Sequence, residues 1–247
     1  MKILMQMRRD TMTRVRKIGM IIMVVALFLL WTRQNPPYPD LGQPDDLKLM
    51  PVDQAYHVPD FAEFRTAMIK AMEQKDLDFV LNCIDDTLRY TFGLNQGVKG
   101  FLRYWELDTM PEDSPFWEEM LQVLRLGGEF ADPDQKIFRA PYVFSSFPET
   151  LDAFQHVAVV GQNVKVYADP EFSAQVIGIL SYSIVRHVPY NDKYEFFSDG
   201  AYWRKVATSS GKTGFVPDKY LRSPVDYRAS FAKSNGKWQL IFFVAGD

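Results

Sequence analysis

The spacing of hydrophobic positions changes several times along the chain. Residues Ile18 to Trp31 form an unbroken apolar run, preceded by the basic stretch Arg14-Val15-Arg16-Lys17. Residues 35–59 are largely polar and carry six prolines, which predicts an extended tether. Asp60 and Glu63 make a capping-box-like start, after which Phe61, Phe64, Met68 and Met72 recur at helical spacing. Asp76 is placed to cap a second helix bearing Leu77, Val80, Leu81 and Ile84. Val98, Phe101, Leu102 and Trp105 predict a short third helix. Ser114 and Pro115 open a fourth with Phe116, Met120, Leu121 and Leu124 on its apolar face, and Gly127-Gly128 closes it. Strand patterns follow, first over Ile137 to Phe144 and then in a series from His156. The last is a hairpin: two alternating runs flank Ser234-Asn235-Gly236, the second spanning Trp238 to Val244.

The leader reads as a targeting segment rather than part of the fold. Its 14 apolar residues would span roughly 21 Å as a helix, short of a hydrocarbon core of about 30 Å. Length alone therefore favours a cleaved signal, which would release a secreted protein. Against cleavage, no small-x-small site follows the run, and Trp31, Thr32, Arg33 and Gln34 stand there instead. Arg16 and Lys17 can snorkel, and Trp31 suits an interface. No cysteine near the run's end offers a lipid attachment point. The expectation is an uncleaved single-pass anchor over residues 1–33, with the body outside the cytoplasm by the positive-inside rule.

Charge sharpens this picture. Residues 1–33 hold seven basic side chains and one acid, so the other 214 residues carry 21 basic and 30 acidic groups. An acidic body speaks against nucleic acid as a partner, because phosphate binding needs a basic face. A single cysteine, Cys83, excludes a disulfide framework and a cysteine-based zinc site. With three scattered histidines and no HExxH spacing, neither a metal site nor a cofactor is expected.

Residues 156–222 carry Asn163-Val164-Lys165-Val166, Pro170, Val176-Ile177-Gly178-Ile179-Leu180, Trp203-Arg204-Lys205-Val206, Gly211-Lys212-Thr213-Gly214-Phe215-Val216 and Tyr220-Leu221. These spaced elements resemble the bacterial SH3 (SH3b) domain. Lys165 departs from the family's usual arginine, and Ser183 from the glycine that follows the leucine. The resemblance implies a small closed SH3-like β-barrel of five or six strands. It also implies an envelope module that binds peptidoglycan or protein segments rather than a catalyst. Over 60–150, helices followed by strands, with the Phe92-Gly93 and Gly97 turn, resemble the NTF2-like superfamily. The hairpin at 225–247 suits such a domain and is expected to pack on it, with Pro141 to Phe144 as pairing partner and the barrel as an insertion.

The expected class is therefore α+β. It comprises an N-terminal membrane helix (1–33), a proline-rich tether (34–59), a helix-rich α+β domain (60–150), an SH3b barrel (156–222) and a C-terminal β-hairpin (225–247). Tyr190, Tyr194, Phe196, Phe197 and Tyr202 crowd into 13 residues and are the candidate contacts for a ligand or partner. Packing of this loop against the helical domain is the competing reading. Catalysis finds little support. Cys83 falls late in an apolar helix, and the neighbouring carboxylates Asp85-Asp86 and Glu118-Glu119 do not face each other on a helix. They read as solvated or capping charges. Ser210-Gly211-Lys212-Thr213 lacks the earlier glycine of a phosphate loop, since Val206 stands there, and Asp132-Pro133-Asp134 lacks the rest of a calcium loop. The expected function is non-catalytic recognition of a peptidoglycan peptide or an envelope protein. The alternative is a small-molecule pocket in 60–150 lined by Phe92, Phe101, Trp105 and Trp117.

Overall fold

The computed structural model describes residues 22–23, 38–43, 46–95 and 97–246. The chain from Asp40 to Asp247 is one compact unit. It contains a five-stranded sheet and an eight-stranded sheet. The expected helix-rich α+β class with a membrane helix is thereby corrected to a mixed α/β fold built mostly of strands. Among the described residues no helix is long and apolar enough to cross a membrane. The 18–31 run lies outside the described residues except for Ile22 and Met23.

The body contains α1 (Pro59–Gln74), α2 (Leu77–Asn82), α3 (Gly97–Tyr104) and α4 (Phe116–Arg125). Its strands are β1 (Ile84–Arg89), β2 (Glu129–Phe130), β3 (Ile137–Ala140), β12 (Arg228–Ser234) and β13 (Lys237–Val244). They run in the order β1-β13-β12-β3-β2, with β1 parallel to β13. Asp76 caps α2 by accepting from the Phe79 amide at 3.0 Å. That helix stops at Asn82, however, and Ile84 begins a strand rather than extending a helical face. Ile84 and Leu88 are the buried positions of β1, and the Leu240 amide donates to the Cys83 carbonyl at 2.7 Å. Sheet pairing outweighs the local helical signal here. Asp85 and Asp86 consequently lie on a strand, where successive side chains point to opposite faces.

Asp60 is not a helix cap: α1 starts at Pro59 without a side-chain cap. Its carboxylate instead accepts from Trp238 Nε1 at 3.2 Å and pairs with Lys233, pinning α1 to the hairpin. Phe61 beside it is wholly buried, its ring 4.3 Å from Phe138 and 4.7 Å from Trp238. The hairpin turns at Asn235 and Gly236, both at positive φ (50° and 78°), as a tight two-residue loop demands. Its β12 pairs with β3 over Ile137 to Ala140. Pro141 lacks the N–H that would continue the ladder, so the expected Pro141–Phe144 strand is instead the short helix α5 (Tyr142–Ser145).

Between β3 and β12 the chain builds the second sheet from β4 (His156–Val159), β5 (Val164–Tyr167), β6 (Val176–Leu180), β7 (Ile184–Val188), β8 (Phe196–Ser198), β9 (Ala201–Ala207), β10 (Thr213–Pro217) and β11 (Leu221–Arg222). They run β11-β4-β7-β9-β10-β5-β6, with β8 added on β9. Val157, Val159, Val164, Val166, Leu180, Val206 and Val216 share its core. The pairing runs from β11 to β6 without closing, so the expected closed SH3-like barrel of five or six strands is corrected to an open eight-stranded barrel sheet. The β6 edge is met instead by Asp40 and Leu41, and residues 47–49 run against residues 182–184, all in a segment expected as a tether. Asp40 bridges Ile179, the Leu41 amide donates to the Ile179 carbonyl at 2.9 Å, and Leu41 enters the barrel core. Covering an edge removes a template for unwanted strand pairing. Ser183 is buried and accepts from Lys48 Nζ at 2.8 Å. The strap then reaches the body, where Arg65 Nη1 lies 2.6 Å from both Asp53 carboxylate oxygens.

Candidate functional site

A cleft of about 840 Å³ lies where the end of the barrel meets α4 and the segment leading into the hairpin. From α4 come Glu119, Gln122 and Arg125, with Leu126 just past its end; from β9, Ala201, Tyr202 and Arg204. Pro217, Asp218 and Lys219, then Leu221 and Arg222, supply the barrel's far wall, while Asp226 and Tyr227 complete the body's side. The volume is that of a small-ligand or peptide side-chain site.

Two arginines organise the walls. Arg204 Nε lies 2.5 Å from Asp218 Oδ1, and its Nη2 is 3.2 Å from Glu195 Oε2. Glu195 and Arg204 flank the β8–β9 ribbon, next to the Phe197–Tyr202 pair. Arg222 donates from Nη2 to the Tyr227 carbonyl at 2.6 Å and from Nη1 to Gln122 Oε1 at 3.3 Å. With its side chain only 9% exposed, it is a buried rivet between β11 and α4. Burial pushes the Asp218 carboxyl up despite Arg204. Burial likewise raises Glu119, with Arg222 opposing and Asp226, Glu118 and Asp218 reinforcing the rise. Tyr227 is raised by burial and by the Tyr104 hydroxyl 3.4 Å away.

The structure divides the five candidate aromatics. Tyr190 and Phe196 turn inward, their rings 5.0 and 5.9 Å from the buried Phe215. Tyr194 stacks on His187 at 4.6 Å and remains largely exposed. Phe197 and Tyr202 sit opposite each other on the outer face of the ribbon, 65% and 55% exposed, with ring centroids 5.2 Å apart. Period-two alternation explains the split, since Phe196 pairs with the fully buried Trp203 on the other face. Only Tyr202 of the five lines the cleft.

Of the four residues expected to line an interior pocket, three are buried in the core and Phe92 is at the surface. Phe101, Trp105 and Trp117 are core residues, and Trp105 stacks on Phe243 at 5.3 Å. Phe92 lies at the surface beneath the guanidinium groups of Arg89 and Arg228. Cys83 is half-buried at the α2–β1 junction, where burial pushes its thiol up to about 11, away from the thiolate a nucleophile requires. His156 and His187 contact the backbone carbonyls of Asp152 and Phe154. Among the described residues no group of three or more His, Cys, Asp or Glu is placed to hold a metal ion. Asp132 closes its own loop, accepting from the Lys136 and Ile137 amides. The sequence reading missed Glu119, which it set aside as a solvated charge, and Arg222. Neither belongs to a motif, because residues about a hundred positions apart meet only through the fold.

Searches against protein-family models, curated proteins and solved structures return no match.

Proposed function

We propose that this protein is a non-catalytic binding protein of the cell envelope. It grips a peptide, the stem peptide of peptidoglycan or a segment of an envelope protein, on the ledge beside the cleft. The observation that carries this reading is the Phe197–Tyr202 pair, two exposed aromatic rings held side by side on a two-stranded ribbon at the cleft's rim. Covering the open part of each ring, on the order of 100 Å², would contribute roughly 2–3 kcal/mol. The basic stretch and apolar run of the leader support an extracytoplasmic setting, and the acidic body supports a partner other than nucleic acid.

Co-sedimentation of the purified protein with purified peptidoglycan sacculi tests the reading. Wild type pellets with sacculi, and Phe197→Ala/Tyr202→Ala weakens this at least about tenfold while its melting temperature stays near wild type. If wild type stays in the supernatant but binds a purified envelope protein through the same two rings, the partner is a protein. If the double variant binds as wild type does, the ledge is not the contact.

A further inference from the structure

Unpaired backbone lies at sheet edges, and the protein treats its edges differently. The β6 edge meets Asp40 and Leu41, and Gly128, next to β2, meets Asp53 and Gln54. The ribbon strand β8 pairs only with β9, and no isolated bridge lies along it among the described residues. Register fixes which backbone groups this leaves. Ser198 faces Ala201 across a turn of two residues, Asp199 and Gly200, both at positive φ (49° and 75°). Such a turn closes on a hydrogen-bonded pair, so Ser198 directs its N–H and C=O at Ala201. The next pair, Phe197 and Tyr202, is then of the non-hydrogen-bonded kind, whose side chains lie close, in keeping with ring centroids 5.2 Å apart. Phe197 therefore turns its amide and carbonyl away from β9, and neither joins a turn or loop hydrogen bond among the described residues.

Phe197 is also the middle residue of the three-residue strand Phe196–Ser198. An antiparallel copy of β8 laid along this edge, Phe197 opposite Phe197, satisfies both groups by a single two-fold operation: each amide donates to the other's carbonyl. Phe196 of each copy then faces Ser198 of the other. Glu195 and Asp199 come opposite each other at the ends, and both are already held, by Arg204 and by the Phe172 amide.

We propose that β8 is a self-association edge, where two copies of the chain pair antiparallel in register at Phe197 and join their ribbons into one four-stranded sheet. A second copy is the occupant because the free groups are their own complement about a two-fold axis, as an isologous contact requires. Pairing uses the ribbon's edge and not its face, so Phe197 and Tyr202 of both copies form one row of four rings. The inference goes beyond the ledge reading and does not depend on what the ledge binds. A contact of three residues per copy falls below the roughly 1,200 Å² of stable interfaces, so this dimer is weak and reversible.

Cysteine cross-linking of the full chain tests the register. Each variant carries Cys83→Ala, which removes the native thiol, and one new cysteine, and is mildly oxidised before a non-reducing gel. Phe197→Cys sets its thiol beside its own twin, with Cα atoms about 5.5 Å apart, within disulfide range. Tyr202→Cys stands three strand spacings from its twin, about 14 Å. Tyr194→Cys, at another exposed position, reports chance collision. Phe197→Cys should form the disulfide dimer at least about tenfold faster than either of the others, the advantage of an aligned pair. Hydrogen exchange on the unmodified chain reads the same contact without a variant: the Phe197 amide should exchange more slowly as protein concentration is raised. Equal rates for the three cysteines, faster dimers through Tyr194→Cys or Tyr202→Cys, or a Phe197 amide indifferent to concentration overturns the proposal. Slowing of that amide by added envelope extract but not by concentration gives the edge to another partner and overturns it too.

Discussion

At the residue scale, Glu119 and Asp218 are acids that folding makes harder to ionise, since burial is the largest influence on each and raises both above their ordinary 4.5 and 3.8. A raised carboxyl binds its proton more tightly in the folded than in the unfolded chain, so stability falls as pH rises through the folded value. Asp60 and Asp85 work the other way. Hydrogen bonds from Lys233 and from Thr87, respectively, lower them below 3.8. Their contribution is present above 3.8 and is lost as pH falls through their folded values. Stability should therefore climb as neutral solution is acidified toward 4.5, then drop below 3.8. Urea midpoints measured across this range check the shape, and Glu119→Gln should flatten the climb without moving the acid-side drop. A climb undiminished in that variant would show that Glu119 does not carry it.

At the element scale, the strap over residues 40–43 and 46–58 is the part whose role depends most on its neighbours. It passes Gly127 and Gly128, and Asp53 bridges Gly128. A β-carbon on Gly128 would fall far inside contact distance of the Arg139 carbonyl oxygen, with the Phe138 ring at 2.9 Å. Backbone cannot yield as a side-chain tip can, so Gly128→Ala should destabilise by about 2–4 kcal/mol, read as a lowered midpoint in thermal or urea unfolding. The Gly127-Gly128 pair was legible as the end of a helix, and α4 does end just before it. That the first glycine admits the strap, whose Val52 carbonyl oxygen would stand 2.6 Å from a β-carbon there, was not legible, because the strap's prolines and polar residues look the same whether the segment is free or laid along a sheet edge. Local chemistry was readable where it is self-contained, as in the Asp76 cap and the Asn235-Gly236 turn. It misled where a distant strand decides the outcome. Ile84 continues a helical stripe in sequence yet belongs to a strand because β13 lies beside it. Likewise, the aromatic crowding at 190–202 was visible, but which rings face outward depended on the register of β8 against β9.

At the scale of the whole molecule, the two sheets are interleaved rather than strung in series. The barrel leaves the body after α5 and returns into β12, and its first and last strands pair with each other, Ala158 opposite Arg222. The strap crosses from one sheet to the other, with Leu41 in the barrel core, Leu49 packed with Tyr142 and Ala158, and Asp53 on Arg65 of α1. Arg222 adds a second tie by bonding Gln122 of α4 and the Tyr227 carbonyl from a nearly water-free position. With ties on both sides, neither sheet can open without exposing buried surface of the other, so unfolding should be one cooperative event. Hydrogen exchange distinguishes this from independent melting: the slowest amides of β9 and β10 should report the same opening free energy as those of β12 and β13. Arg222→Ala leaves Gln122 without its donor and removes a buried guanidinium that shields Asp226, at a cost of about 2–3 kcal/mol. In a coupled molecule that loss lowers the protection of both sheets together. If only the barrel amides lost protection, the strap would be insufficient to join the two, and a ligand in the cleft would hold together parts that otherwise open separately.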